Sequence, residues 1–242
     1  MTAARVEAVI FDWGGTLTPW RAINHRASWR AYADAVHPDD PQAAAGATEA
    51  LLAADTALWA RARIEHRAFR LADVLEHAEV PWHDGAIGAY REFWEAYTFT
   101  DPDVAPLMRD LAGLGLRLGV LSSTAWPAEW HQEILRRDGV LDLFHGTVWS
   151  SSLDWTKPHE QAFRAAIAAV GASDPARCVY VGDRLYDDVY GAAALGMRTI
   201  LVPHSDLPAD QVVPVEARPD AIIDRLADVA AVVARWHTQA RA

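Results

Sequence analysis

Asp12 closes an apolar run, Val6 to Phe11, and is followed by Trp13-Gly14-Gly15-Thr16-Leu17. A run of that kind reads as a buried parallel strand. It puts a carboxylate at the strand's carboxyl end, where open α/β sheets bind their ligands. The adjoining glycines let backbone approach an anion or a metal closely. By itself the pattern fits an ordinary strand and turn equally well. Three later segments decide between the two. The run Leu116 to Leu121 ends in Ser122-Ser123-Thr124; Lys157-Pro158 opens a helical stretch; and Cys178 to Val181 ends in Gly182-Asp183, with Asp187 and Asp188 close behind. An acid, a hydroxyl, an ammonium and an acidic cluster, in that order, suit chemistry on a phosphate. The carboxylate attacks, the hydroxyl and ammonium hold the oxygens, and the remaining carboxylates hold a divalent cation.

Those residues need a frame that brings the ends of distant segments together. Strand patterns fall near 6–12, 117–122, 146–150, 178–182, 199–202 and 221–224. Helical patterns fall near 103–114, 127–137, 158–170, 185–195 and 225–236. Such alternation calls for a parallel sheet covered on both faces. Residues 19 to 100 break it: they are rich in Ala, Leu, Arg and Glu, show no clear strand, and contain roughly four helices. The stretch from Pro203 to Pro219 reads as a long surface loop.

With these motifs in this order, the chain resembles the haloacid dehalogenase superfamily of hydrolases. Asp-Trp-Gly-Gly-Thr-Leu (12–17) is similar to its first motif, commonly Asp-x-Asp-Gly-Thr-Leu. Ser122 matches the second motif, Lys157 the third, and Gly-Asp-x-x-x-x-Asp (182–188) the fourth. The resemblance covers nearly the whole chain. It implies an α/β fold, a Rossmann-like parallel core formed by 1–18 and 101–242, and an inserted α-helical cap at 19–100. It implies hinges near Thr18-Pro19 and Thr98 to Pro102. It also implies Asp12 as nucleophile, Ser122 and Lys157 on the transferring phosphoryl group, and Mg2+ held by Asp12, Gly14, Asp183 and Asp188. Gly15 and Ser123, beside the first two motifs, are expected at the substrate.

Gly14 departs from the family pattern. The second Asp usually found there protonates the leaving group and then activates water, work worth about 10²–10⁴-fold. Gly14 keeps the carbonyl that this position offers the metal but has no proton to give. His25 is a candidate to replace it, with His159 a weaker one. Trp20, Trp126 and Trp130 are candidates for an aromatic rim around the substrate, although packing at a domain junction accounts for such tryptophans as well. Arg21 and Arg26 could meet a substrate anion, but arginines of a helical segment are usually solvated or ion-paired.

Lys157 is the only lysine in the chain, every other cationic side chain of that class being arginine. A compact ammonium among carboxylate and phosphate oxygens is a role in which arginine is no substitute. The count also tests a subfamily. Phosphonoacetaldehyde hydrolases resemble this chain at the first motif but use a cap lysine to form a Schiff base, and residues 19–100 contain none. Haloacid dehalogenases carry Tyr where Gly14 stands, need no metal, and differ at the fourth motif. Retention of Asp183, Asp187 and Asp188 favours a metal-dependent enzyme, because uncompensated carboxylates repel one another unless a cation joins them.

The chain has 242 residues, 51% of them hydrophobic, enough for a core plus a cap. Its net charge of −11, without a basic cluster, argues against a nucleic-acid partner. Cys178, the single cysteine, lies in an expected strand, so no disulfide framework exists. No apolar run reaches the ~18 residues a membrane span needs, and no signal-peptide layout is present, so a cytoplasmic location is expected. The expected function is a Mg2+-dependent phosphatase of a small phosphorylated metabolite. The alternatives are a dehalogenase-like hydrolase with an ester on Asp12, and a catalytically weakened ligand-binding protein. Substrate identity and oligomeric state do not follow from the sequence.

Overall fold

The computed structural model describes residues 5–19, 21–202 and 212–239. Trp20 and the first half of the loop expected at 203–219 lie outside the described residues. Six strands, β1 (Ala8–Phe11), β2 (Arg117–Ser122), β3 (Gly146–Trp149), β4 (Cys178–Gly182), β5 (Arg198–Leu201) and β6 (Ala221–Ile222), form one sheet in the order β3-β2-β1-β4-β5-β6. All pairings are parallel. Chain order reverses beside β1, so β1 and β4 are neighbours although 170 residues apart in register (Ala8 opposite Cys178, Phe11 opposite Val181). Their carboxyl ends form the crevice at which such sheets bind ligands.

The strands are short and apolar because both faces are covered. Side chains alternate across a strand. Val9 and Phe11 therefore join one core with Val104, Met108 and Val233, while Ala8 and Ile10 join another with Phe163, Ala166 and Tyr180. Around the sheet lie α5 (Val104–Gly113), α6 (Ala128–Arg137), α7 (Glu160–Ala169), α8 (Gly191–Ala194) and α9 (Val229–Gln239). The helix expected over 185–195 is a correction: Leu185–Tyr190 is a π-helical turn, and α8 is only its continuation. Val189 and Asp188 both donate to the Arg184 carbonyl there, which widens the turn at the point where Asp187 and Asp188 leave it.

Between β1 and α5 run four helices, α1 (His25–Val36), α2 (Pro41–Glu65), α3 (Leu71–His77) and α4 (Asp84–Glu95). They bury an apolar cluster of their own, with Trp29, Tyr32, Leu51, Leu58, Val74 and Tyr90 inside it. Trp126, from the loop after β2, packs against both this cluster and that of the sheet. The second connection is held to the sheet at three points. Asp101 N–H donates to Leu17 O at 2.8 Å, Thr100 N–H to Asp138 Oδ2 at 2.8 Å, and Arg137 to Thr98 O at 2.9 Å.

Helices end differently in the two regions. After α5, α6, α7 and α8 the chain turns on Gly115, Gly139, Gly171 and Gly196, each at positive φ. After α2 and α3 it turns on His66 (φ 54°) and Glu79 (φ 55°). A side chain in that left-handed region costs about 1–2 kcal/mol. Among the described residues no helix is long and apolar enough to cross a membrane.

Candidate functional site

Asp12 leaves the end of β1, its N–H donating to Val181 O of β4 at 2.9 Å. Asp183 follows the end of β4, and Asp188 comes from the π-helical turn beyond it. Ligand atoms of the three lie within 4.8 Å of one another, and all three residues are buried. Close approach depends on glycine at two places. A Cβ on Gly15 would stand 2.6 Å from Asp183 Oδ2, and one on Gly182 would stand 2.3 Å from the Asp188 carboxylate. Gly14 differs: a Cβ there meets nothing within 4 Å, so its lack of a side chain is not a demand of space.

Lys157 enters the group from the turn before α7. Its ammonium lies 2.9 Å from Asp12 Oδ1 and 2.6 Å from Asp188 Oδ1, and it donates to Tyr180 Oη at 3.1 Å. Tyr180 in turn donates to Leu121 O at 2.8 Å, next to Ser122. Burial works against the ammonium's charge, but Asp12 and Asp188 outweigh it and hold Lys157 well above its ordinary value. Asp188 is satisfied at both oxygens, by Lys157 and by the Arg184 N–H at 2.9 Å. Burial still raises it to about 6, with Lys157 opposing and Asp12 adding to the shift.

Asp183 has no such relief. Neither of its oxygens has a hydrogen-bond partner. Burial first, then Asp188 and Asp12, push its carboxyl well above the usual range. A buried carboxylate without a partner costs several kcal/mol. Three acidic oxygens converging on one point, with Lys157 and Arg184 as the cations whose charge reaches them, are the hard-oxygen donor set of a divalent cation such as Mg2+. The residues present fit that ion.

Ser122 is buried at the end of β2. Ser123 accepts a hydrogen bond at 2.6 Å from Thr156, the residue before Lys157, so the loop after β2 and the loop before α7 are tied together. The helical segment docks on the same loops. His66 O accepts from Thr156 N–H at 2.9 Å, Ala68 N–H donates to Asp154 O at 3.0 Å, and Leu71 N–H donates to Ala125 O at 2.7 Å. The Arg67 guanidinium lies 4.6 Å above the Trp155 ring, which stacks on His159 at 3.9 Å.

The other expected site residues fall elsewhere. His25 is exposed at the start of α1, its ring 5.6 Å from Trp94. Arg26 forms an exposed ion pair with Glu49, and Arg21 is exposed. Trp126 stands 5.0 Å from Trp94 and 6.3 Å from Trp13, with its indole N–H on Tyr90 Oη at 3.2 Å. With Trp94 and Trp130 it lines a crevice of about 420 Å3 between α4 and α6, flanked by Arg91 and Arg137. None of the three clustered carboxylates lines that crevice. Behind it His131 is fully buried, stacked 4.0 Å from Trp149, and bonded to Thr124 Oγ1 at 2.9 Å. Burial drops its imidazole to about 3, so it is neutral.

Two residues of the neighbourhood were not read from the sequence. Tyr180 reads as strand core, and only its hydroxyl contacts with Lys157 and Leu121 O show otherwise. His66 places its Nε2 3.0 Å from Tyr186 Oη, in the turn that carries Asp187 and Asp188. Burial and His159 lower its imidazole, with Asp187 opposing.

A profile of haloacid dehalogenase-like hydrolases matches residues 6–196. The chain is 36% identical over 117 residues to a glyceraldehyde 3-phosphate phosphatase of Methanopyrus kandleri, covering 48% of this chain and 49% of that protein. It is 34% identical over 142 residues to the tyrosine-protein kinase PtkA of Mycobacterium tuberculosis, covering 57% and 45%. The chain thus spans about half the length of the curated relatives it matches. Among solved structures, the 2-haloacid dehalogenase of Pseudomonas syringae superposes with a TM-score of 0.66 at 26% identity, covering 96% of this chain and 99% of that one.

Proposed function

This chain belongs to the haloacid dehalogenase-like hydrolase family, and on that footing we propose that it is a Mg2+-dependent phosphatase of small phosphorylated metabolites. The observation that carries the reading is Asp183: two buried carboxylate oxygens without partners, within reach of Asp12 and Asp188. Metal-free displacement of a halide would leave those oxygens without a partner. A divalent cation held by Asp12, Asp183 and Asp188, with the Gly14 carbonyl beside them, would neutralise it and withdraw charge from the phosphoryl oxygens. The M. kandleri relative makes three-carbon sugar phosphates the first substrates to try.

In this reading an Asp12 oxygen attacks phosphorus. The new O–P bond forms as the bond to the leaving oxygen breaks, and the phosphoryl group passes to Asp12. Lys157 and Ser122 hold the phosphoryl oxygens and offset their charge. Lys157, 2.9 Å from Asp12 Oδ1, also orients that carboxylate, while Tyr180 fixes the ammonium from the other side. Water then attacks phosphorus and returns Asp12 and inorganic phosphate. Gly14 supplies no proton in either step, so esters with good leaving groups react faster. Residues 19–100 serve as a cap over this centre, hinged near 18–19 and 98–102 on a core of 1–18 and 101–242, and they exclude water when docked.

Phosphate release from a panel of phosphomonoesters, including glyceraldehyde 3-phosphate and p-nitrophenyl phosphate, tests the proposal with Mg2+ and with EDTA. Release that needs Mg2+ supports it. Fluoride or chloride release from 2-haloacids in EDTA, with no phosphate from any ester, replaces it with the dehalogenase reading.

A further inference from the structure

His66 ends α2 in the left-handed region, at φ 54°, where the helices around the sheet place glycine. A residue with a Cβ is retained there against its conformational preference, and strain of that kind gathers at functional positions. Glycine would relieve the strain and keep the backbone contacts, so what the strain preserves is the ring. That ring bonds Tyr186 Oη at 3.0 Å, while the His66 carbonyl accepts from Thr156 N–H at 2.9 Å. Thr156 precedes Lys157 and donates to Ser123. Tyr186 precedes Asp187 and Asp188 in the π-helical turn. One strained residue of the helical segment therefore touches both loops that build the centre, the one presenting the ammonium and the one presenting the acids. Nearby contacts of the segment, at Ala68 and Leu71, reach only backbone carbonyls of the loops at 154 and 125.

We propose that His66 is a positioning residue for the phosphoryl transfer: it clasps the loop before Lys157 to the turn carrying Asp188, so that the two halves of the centre reach register only when the helical segment is docked. The kinetic part of this inference rests on the phosphatase reading; the clasp itself does not. It gives closure a consequence at the reacting atoms without a group of the segment entering the chemistry, because a displaced Lys157 or Asp188 would misalign Asp12, whose oxygen they flank.

His66→Gly separates the ring from the backbone, since glycine adopts the left-handed turn freely and keeps the carbonyl. The expected result is a Tm equal to or above that of the parent. Amide exchange over 150–157 and 184–190 should become about tenfold faster, as loss of one interloop hydrogen bond predicts. The kcat for phosphate release should fall about tenfold with KM within about twofold. Tyr186→Phe removes only the partner hydroxyl and should give the same changes, and the double variant should be no worse than either single one. Unchanged exchange in both single variants overturns the clasp. Faster exchange with full kcat overturns the positioning role, and a fall in Tm that matches the loss of activity overturns it too, by making the ring a support of the fold. Should the parent release no phosphate from any ester, the phosphatase reading fails, and the exchange rates alone decide whether the clasp stands.

Discussion

Two clusters lie where the helical segment meets the sheet, and each leaves polar groups without partners. In the aromatic crevice and the stack behind it, the indole N–H groups of Trp13, Trp94 and Trp149 and the Nδ1 of His131 have none. At the acidic centre both oxygens of Asp183 lack one, and Asp12 Oδ1 has only its ion pair with Lys157. The chemistry of the two deficits differs. An unmet neutral donor costs about 1–3 kcal/mol, which the surrounding ring contacts at 4.0–6.3 Å can absorb. An unmet buried charge costs several times that, and nothing apolar offsets it. The crevice offers about 420 Å3, yet the deficit of charge lies at the acidic centre, which does not line it.

That contrast breaks most visibly at Asp12. Asp12→Asn should lower phosphate release by about 10³-fold or more, because the proposed nucleophile is gone, while Mg2+ binding weakens less. Activity within tenfold of the parent would take the chemistry away from the acidic centre. Gly14→Asp sharpens the comparison in the other direction. A side chain has room there, and a carboxyl group restores proton transfer, so turnover on alkyl phosphates should rise by about 10²-fold. No gain in a folded variant would mean that the missing acid does not limit the rate.

In the crevice the effects should fall on stability instead. Trp130 lies tilted beside Trp126 at 6.0 Å and under Arg91 at 4.9 Å. Trp130→Ala should cost about 2 kcal/mol in denaturant unfolding and leave kcat/KM within about threefold. A large loss of kcat/KM at unchanged stability would make the crevice part of the site.

The smallest effect is a pH dependence of the metal-free protein. Asp188 is raised to about 6 and Asp183 well above the usual range, both from an unfolded value near ~4. Groups whose folded pKa is raised stabilise the fold fully below the unfolded value and lose that contribution as pH rises through the folded one. In EDTA the Tm should therefore be higher near pH 5 than near pH 7.5. Mg2+ should raise it at pH 7.5 and do little at pH 5, where protons hold the oxygens. Asp183→Asn should raise the metal-free Tm at pH 7.5 and abolish the Mg2+ shift. A Tm that is flat in pH and indifferent to Mg2+ would leave the acidic deficit without the ligand proposed for it.

The carboxylates, the serine and the lysine were legible because each ends a strand or opens a helix, and a parallel sheet puts all such ends on one edge. Element order followed from the same alternation. Strand limits came out longer than the paired ladder, 6–12 against Ala8–Phe11, because the apolar run continues beyond the residues that pair. The turn at 185–190 was read as regular helix, since nothing in Leu-Tyr-Asp-Asp-Val-Tyr announces one extra residue in its circumference. Tyr180 was hidden by its company: a tyrosine in a run of valines looks like core until its hydroxyl is seen between Lys157 and Leu121. His66 left a faint signal, a helix that stops at Glu65 with no glycine to stop it. His25 is a candidate only through its place early in the helical segment, and α1 leaves it exposed beside Trp94.

Lys157 carries the only side-chain amine of the chain, and it is buried between Asp12 and Asp188. Acylating reagents need a free, uncharged amine that they can touch, and this one is neither free nor uncharged while its neighbours stay in place. Its labelling by an amine-reactive ester must wait for the surroundings to part. The rate of that single modification is then a covalent clock for opening of the centre, readable by mass without any engineered probe, and a bound phosphate or vanadate should slow it.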